Sequence, residues 1–328
     1  MVRFGLLGAG RIGKIHGGNI ATTEGAKLVA VADADAAAAK ALAGARGAEV
    51  RSVADIVKAK DIDAFVMGTP TETHADLIEQ GVRAGKAVFC EKPVALDAKR
   101  IEKCLKVVEA AKGTLMVGFN RRFDPNFAEL KARLDKKAIG NVEMVTVISR
   151  DPGPPPVSYV QKSGGIYRDM MIHDFDIARF MLGEEPVEVH AIGSVLVDKA
   201  IGEAGDVDTA MVMLKTASGK LCQISCSRRA TYGYDQRIEV HGATGMLRAG
   251  NIHETTVEVA NKGGFMADPV QNFFLERYAL AYRAELMAFI DAVQSGRKPS
   301  PSGEDGLMAQ KLADAATESH RTGQPVKL

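Results

Sequence analysis

Tryptophan is absent from the 328 residues. This removes the largest stacking platform a ring-shaped ligand might use and leaves its recognition to hydrogen bonds. Cysteine is scarce. Cys90, Cys104, Cys222 and Cys226 form no Cys-x-x-Cys pair, and only seven histidines are scattered elsewhere. The pattern argues against a disulfide framework and a structural zinc site, so no metal is expected. Neither charge dominates, with 42 basic against 41 acidic residues, so a nucleic-acid partner or an anionic membrane surface has no electrostatic footprint. The apolar runs are far shorter than a bilayer span. The opening Met-Val-Arg-Phe-Gly-Leu-Leu-Gly enters a strand and a turn at once, unlike the layout of a secretory signal. A cytoplasmic location is expected. The length admits two domains, each able to bury a core.

An apolar strand over residues 3–7 runs into Gly8-Ala9-Gly10-Arg11-Ile12-Gly13, and a helix of about three turns follows. At this spacing Gly8 makes the tight turn, Gly10 lets the backbone approach a pyrophosphate, and Gly13 lets helix and strand pack closely. The helix start, at Arg11 and Ile12, then offers its free amides to phosphate. A second strand over 27–32 ends in Asp33, where a carboxylate would accept both ribose hydroxyls. Ala34-Asp35-Ala36 follows, without Arg or Lys, so a 2′-phosphate would meet negative charge. The expectation is NAD rather than NADP.

Helices over 36–43 and 52–59 precede a strand over 64–68 that ends at Thr69-Pro70-Thr71. The next helix carries His74 in its first turn, with Thr71 a natural N-cap. Thr69, Pro70 and His74 are candidates to cover the nicotinamide half; for His74 an exposed helical position is an equal alternative. The strand over 87–89 then leads into Cys90-Glu91-Lys92-Pro93. Pro93 cannot donate to a ladder and favours extended geometry at Lys92, so the lysine is held at a strand's carboxyl end, where ligands of open parallel sheets bind. A helix over 97–112 and a strand over 114–119 complete a doubly wound α/β domain at 1–119.

From Asn120 the pattern changes. Asn120, Arg121 and Arg122 lie just past that last strand, and a helix extends to about residue 138. Strand-like runs follow at 143–149, 187–197, 209–216, 221–227, 237–241 and 256–260, several joined by turn signals such as Ala217-Ser218-Gly219 and Ala243-Thr244-Gly245. Helices over 285–294 and 306–322 close the chain. These features describe an α+β domain at 120–328 on a large, mostly antiparallel open sheet. A sheet with only one face covered is a natural oligomer surface.

Between the first two of those strands, a stiff Pro-rich linker (Asp151-Pro152-Gly153-Pro154-Pro155-Pro156) leads through Gly164-Gly165 to a helix starting near Asp169. On one continuous helix Asp169, His173 and Asp176 share a face, while Met171, Phe175, Ala178 and Leu182 form the opposite stripe. Ile172, Ile177 and Phe180 make this helix apolar nearly all round, so the trio is expected to be buried and paired. Oxidation of a secondary alcohol requires a base for the hydroxyl proton as hydride leaves carbon. His173 suits that task near neutral pH, Asp169 would orient it, and Lys92 would favour negative charge on the reacting oxygen.

Gly8-x-Gly10-x-x-Gly13, Glu91-Lys92-Pro93 and Asp169-x-x-x-His173 together resemble the Gfo/Idh/MocA oxidoreductase family over nearly the whole chain. The stretch from Ser149-Arg150-Asp151-Pro152 through Gly164-Gly165-Ile166-Tyr167-Arg168-Asp169 to Asp176 is similar to the inositol 2-dehydrogenase branch. The resemblance implies NAD-dependent oxidation of myo-inositol to 2-keto-myo-inositol (scyllo-inosose) in a homotetramer assembled through second-domain sheets. It maps the catalytic roles onto Lys92, Asp169 and His173, with Glu91 and Lys92 also near the cofactor. Substrate contacts are implied at Asn120, Arg121 or Arg122, with Tyr234 and Tyr232 as further candidates. Relatives acting on scyllo-inositol, chiro-inositol or glucose share the same motifs, and some family members sense the dinucleotide without catalysing a reaction.

Overall fold

The computed structural model describes residues 1–328 and divides into two compact units, one formed by Met1–Phe123 with Ala281–Gln310, the other by Asp124–Leu280 with Lys311–Leu328. The first unit runs β1 (Val2–Leu7), α1 (Arg11–Thr22), β2 (Ala26–Ala32), α2 (Ala36–Arg46), β3 (Glu49–Val50), α3 (Val53–Lys58), β4 (Ala64–Met67), α4 (His74–Arg83), β5 (Ala87–Glu91), α5 (Ala98–Ala110) and β6 (Leu115–Gly118). Its six strands are all parallel, in the order β3-β2-β1-β4-β5-β6. The order reverses at β1, which puts the strand leading into the Gly-rich turn at the switch point where such sheets bind ligands. Local chemistry sets the helix ends: Asp35 caps α2 by accepting from the Ala37 and Ala38 amides, and Gly47 closes it in the left-handed region.

The second unit contains α6 (Pro125–Asp135), β7 (Val142–Arg150), α7 (Val157–Ser163), α8 (Gly165–Asp169), α9 (Ile172–Leu182), β8 (Pro186–Ser194), α10 (Lys199–Glu203), β9 (Thr209–Thr216), β10 (Leu221–Ser227), β11 (Asp235–Gly242), β12 (Gly245–Ala249), β13 (Glu258–Asn261), β14 (Gly264–Ala267) and α11 (Phe274–Arg277). Helices α12 (Ala279–Ser295) and α13 (Gly303–Thr322) follow, before β15 (Val326–Lys327). The seven-stranded sheet has the order β12-β11-β7-β10-β9-β8-β15. Only β7 and β10 pair in parallel; the other neighbours are antiparallel.

Strand alternation gives that sheet two unlike faces. Val145, Val147, Val212, Leu214, Cys222 and Ile224 are buried, with α9 packed on β7 and β10. The last turns of α13 tie to β8, where Ser319 and His320 accept from the Ala191 and Gly193 amides. The opposite face carries Met144, Ile192, Met211, Met213 and Leu221, which no element of the second unit covers; all five are exposed.

Three local expectations are corrected. The run at 256–260 does not join the large sheet: β13 pairs only with β14, as a separate hairpin with all eight residues exposed. Thr71 does not cap α4, because Thr71–Thr73 forms a 3-10 turn and α4 begins at His74 with no side-chain cap. The helix through Asp169 and His173 is not continuous. Asp169 ends α8, Met170 and Met171 form a turn whose amides both donate to the Ile166 carbonyl, and α9 begins at Ile172.

Candidate active site

In the first unit the Gly-rich turn is a backbone construction. Gly8 sits at φ +101°, where a Cβ would lie 2.5 Å from the Gly68 carbonyl oxygen. A Cβ on Gly13 would lie 2.0 Å from the Gly8 oxygen, so helix and strand approach as closely as glycine permits. Gly10 differs, since a Cβ there would meet nothing within 4 Å and this side of the turn faces open space. Gly10 is also the N-cap of α1, without a side-chain cap, so the first amides, from Arg11 and Ile12 onward, are not taken by a capping side chain. Asp33, at the end of β2, accepts the Ala9 amide on Oδ2 at 2.5 Å and the Asp35 amide on Oδ1 at 2.7 Å, which fixes its carboxylate beside the turn. The open cradle at Gly10, the amides and the anchored acid fit a dinucleotide.

The two strands beyond the switch point carry the remaining candidates. His74 is buried, and its Nδ1 and Nε2 lie 2.8 and 2.9 Å from the Pro93 and Thr69 carbonyl oxygens. It is therefore neither an exposed helical residue nor a loose side chain. It ties the loop after β4, with Thr69 and Pro70, to the loop after β5. Thr69 and Thr73 also join hydroxyl to hydroxyl at 2.7 Å. Lys92 follows β5 directly and is half-buried, and its peptide bond to Pro93 is cis. The Glu91 carboxylate is turned to the buried His16 of α1, with Oε1 2.6 Å from Nε2. Asn120 and Arg121 are buried in a 3-10 turn after β6, while Arg122 pairs with Asp305 at 2.8 Å.

In the second unit Gly164 and Gly165 are both left-handed, at φ +89° and +82°, and a Cβ on Gly165 would lie 2.7 Å from Asp206 Oδ1. That acid takes the Ile166 amide at 3.1 Å, so the glycine pair lets the chain turn onto Asp206 and start α8. Asp169 ends α8 half-buried. Its Oδ1 accepts the Tyr159 hydroxyl at 2.8 Å, and its Oδ2 lies 3.6 Å from Arg228 Nη2. Arg228 is almost fully buried and also lies 3.8 Å from Asp206, which puts a cation between two acids in a water-poor place. Loss of water and the neighbouring Asp169 charge push the Tyr159 phenol up, so it stays a donor, although about half of the residue is exposed.

His173 is half-buried in the first turn of α9. Asp176, three residues further along α9, is buried and lies 3.5 Å from Arg179 Nη1. Tyr234 is buried edge-on to Tyr278 and Phe273, whereas Tyr232 is half-exposed and donates to Asp235 at 2.7 Å. Tyr159, Asp206, Arg228 and His16 escaped sequence reasoning. Tyr159 follows a proline run with no periodicity, Arg228 reads as an ordinary basic residue after a strand, and His16 reads as one more residue of an amphipathic helix.

Comparison with known proteins identifies the family. Residues 2–119 match the model of the GFO_IDH_MocA oxidoreductase family, NAD-binding Rossmann fold, and residues 131–328 match its C-terminal alpha/beta domain. The chain is 59% identical over 318 residues to an inositol 2-dehydrogenase of Rhizobium meliloti (strain 1021), covering 97% of this chain and 96% of that one. A crystal structure of a myo-inositol dehydrogenase from Corynebacterium glutamicum superposes with a TM-score of 0.97 at 45% identity, covering 100% and 99% of the two chains. A myo-inositol dehydrogenase from Lactobacillus casei, solved in complex with NAD(H) and myo-inositol, gives 0.90 at 26% identity over 100% and 97%. Family models over both segments and a Gly-rich turn built to receive a dinucleotide agree: the chain belongs to the Gfo/Idh/MocA oxidoreductases and carries their NAD-binding Rossmann domain.

Proposed function

We propose that this chain oxidises myo-inositol to 2-keto-myo-inositol (scyllo-inosose) with NAD. The observation that carries the reading is the joint presence of Lys92, Asp169 and His173 in a chain 59% identical to a protein named inositol 2-dehydrogenase. NAD, when bound, supplies the hydride acceptor. His173 takes the hydroxyl proton as general base. Asp169, held by Tyr159 and Arg228, orients the base and favours its protonated form. Lys92 hydrogen-bonds the reacting oxygen and stabilises its developing charge. Asn120, Arg121 and Tyr234 hold further substrate hydroxyls.

Segment 1–119 holds the cofactor in this reading. Gly8, Gly10, Arg11, Ile12 and Gly13 take the pyrophosphate, and Asp33 takes the ribose. Thr69, Pro70, His74, Glu91 and Lys92 form the nicotinamide end. Segment 120–328 binds substrate and assembles a cytoplasmic homotetramer through the uncovered sheet face. The exposed Met144, Ile192, Met211, Met213 and Leu221 support that assembly. The test is NADH formation with myo-, scyllo- and chiro-inositol and glucose. Turnover strongest on myo-inositol is expected; a clear preference for another member of the panel would overturn the substrate assignment.

A further inference from the structure

The first unit contains a buried cluster in which two of the three members, His16 and Glu285, have no role in the reading above. His16 on α1, Glu91 at the end of β5 and Glu285 on α12 each offer one atom, and the three atoms lie within 4.8 Å of one another. His16 and Glu285 are fully buried. His16 Nε2 and Glu91 Oε1 form a hydrogen bond at 2.6 Å, and the imidazole stands edge-on to Phe89 and Tyr282. Both carboxyl oxygens of Glu285 lack a hydrogen-bond partner. Asp208 shows the contrast. Equally buried, it accepts from the Leu196, Val197 and Asp198 amides and the Thr209 hydroxyl, so its charge is met by four donors. Glu285 meets none.

A buried carboxylate without donors, next to a second carboxylate, is a costly arrangement, and binding a proton is the usual escape. A shared cation is the other, but two ligands of one small ion bound at about 2.0–2.1 Å stand about 3.3 Å apart. The 2.6 Å His16–Glu91 separation is instead that of a hydrogen bond. A proton on Glu285 removes its own charge from this buried place.

We propose that Glu285 is a positioning residue, held as a neutral carboxylic acid behind the His16–Glu91 pair, and that the three anchor the end of β5 from which Lys92 departs. The role for Lys92 rests on the function proposed above. Glu91 and Lys92 are adjacent, so fixing the Glu91 side chain fixes the peptide that carries the lysine. Burial, and then the Glu91 charge, push the Glu285 carboxyl well above the usual carboxylate range. The titratable groups around it are Glu91 from β5, His16 from α1 and Tyr282 from its own helix.

The experiment compares wild type with E285Q and E285A. A carboxyl raised in the folded state contributes stability that is full below its unfolded value, about 4.3, and is lost as pH rises. Glutamine has no proton to lose, so the Tm of E285Q minus that of wild type should grow by a few degrees between about pH 5 and about pH 8. E285A should lower kcat about tenfold with NAD affinity within about twofold, and E285Q should restore kcat to within about twofold of wild type. A Tm difference flat with pH overturns the neutral acid. Stoichiometric metal in the purified wild type that disappears in E285Q overturns it too, making the cluster a cation site. E285Q as impaired as E285A overturns the positioning role. Full turnover by K92A overturns that role through Lys92 alone and leaves the pH dependence of Tm in place, so the two failures are distinguishable.

Discussion

The Gly-rich turn of the first unit and the α8–α9 segment of the second are both proposed to serve the reaction, yet they are built from different material. The turn is backbone: Gly8 and Gly13 are required because any Cβ would strike a main-chain oxygen or its neighbours, and Gly10 leaves a side of the turn open. The α8–α9 segment is a side-chain network, in which Asp169 depends on a tyrosine ten residues earlier and an arginine on β10's carboxyl end. A site made of backbone is written in local spacing. A site made of side chains draws on residues that only folding brings together, so its support tolerates substitution unevenly.

The largest expected effect breaks the comparison at its chemistry. Lys92→Ala and His173→Ala should each lower kcat about 10²- to 10⁴-fold, with NAD affinity within about twofold in equilibrium binding. A variant that keeps turnover would remove that residue from the chemistry. Next, Gly13→Ala and Gly10→Ala separate two meanings of glycine. Gly13→Ala places a Cβ 2.0 Å from a backbone oxygen and should lower Tm by several degrees while abolishing NAD binding. Gly10→Ala meets no protein atom. It should keep stability within about 0.5 kcal/mol by denaturant titration while NAD binds about tenfold or more weakly.

Asp33 should give kcat/KM for NAD at least about tenfold above that for NADP, and Asp33→Ser should narrow the ratio. Equal use of the two cofactors would show that the Ala9-anchored carboxylate does not discriminate. The smallest effect belongs to the side-chain network. Tyr159→Phe removes one hydrogen bond to Asp169, worth about 0.5–1.5 kcal/mol, so kcat/KM should fall roughly threefold to tenfold without a change in NAD affinity. Arg228 remains beside Asp169 in that variant, and an unchanged rate would mean that Arg228 alone holds the acid.

Much of the first unit was legible because parallel strands buried on both faces read as apolar runs and each ends in turn chemistry. The hairpin of β9 and β10 was equally legible from Ala217-Ser218-Gly219. Less visible was the helix through Asp169 and His173. Its apolar periodicity continues unbroken, while the Met170–Met171 turn arises from backbone hydrogen bonding to Ile166 that no residue type announces. The 256–260 run has strand composition, but strand propensity does not name a partner, and β14 rather than the large sheet supplies it.

By itself the sequence determined the dinucleotide turn, the order of strands and helices to residue 119, the Lys92-bearing strand end and the family. These follow from spacing, periodicity and residues within a few positions of one another. Only the tertiary structure decided that Ala281–Gln310 returns to the first unit, bringing Glu285 to His16 and Glu91, or that Tyr159 and Arg228 meet at Asp169. Such meetings depend on burial and on the desolvation of charges, which arise only when distant segments exclude water together.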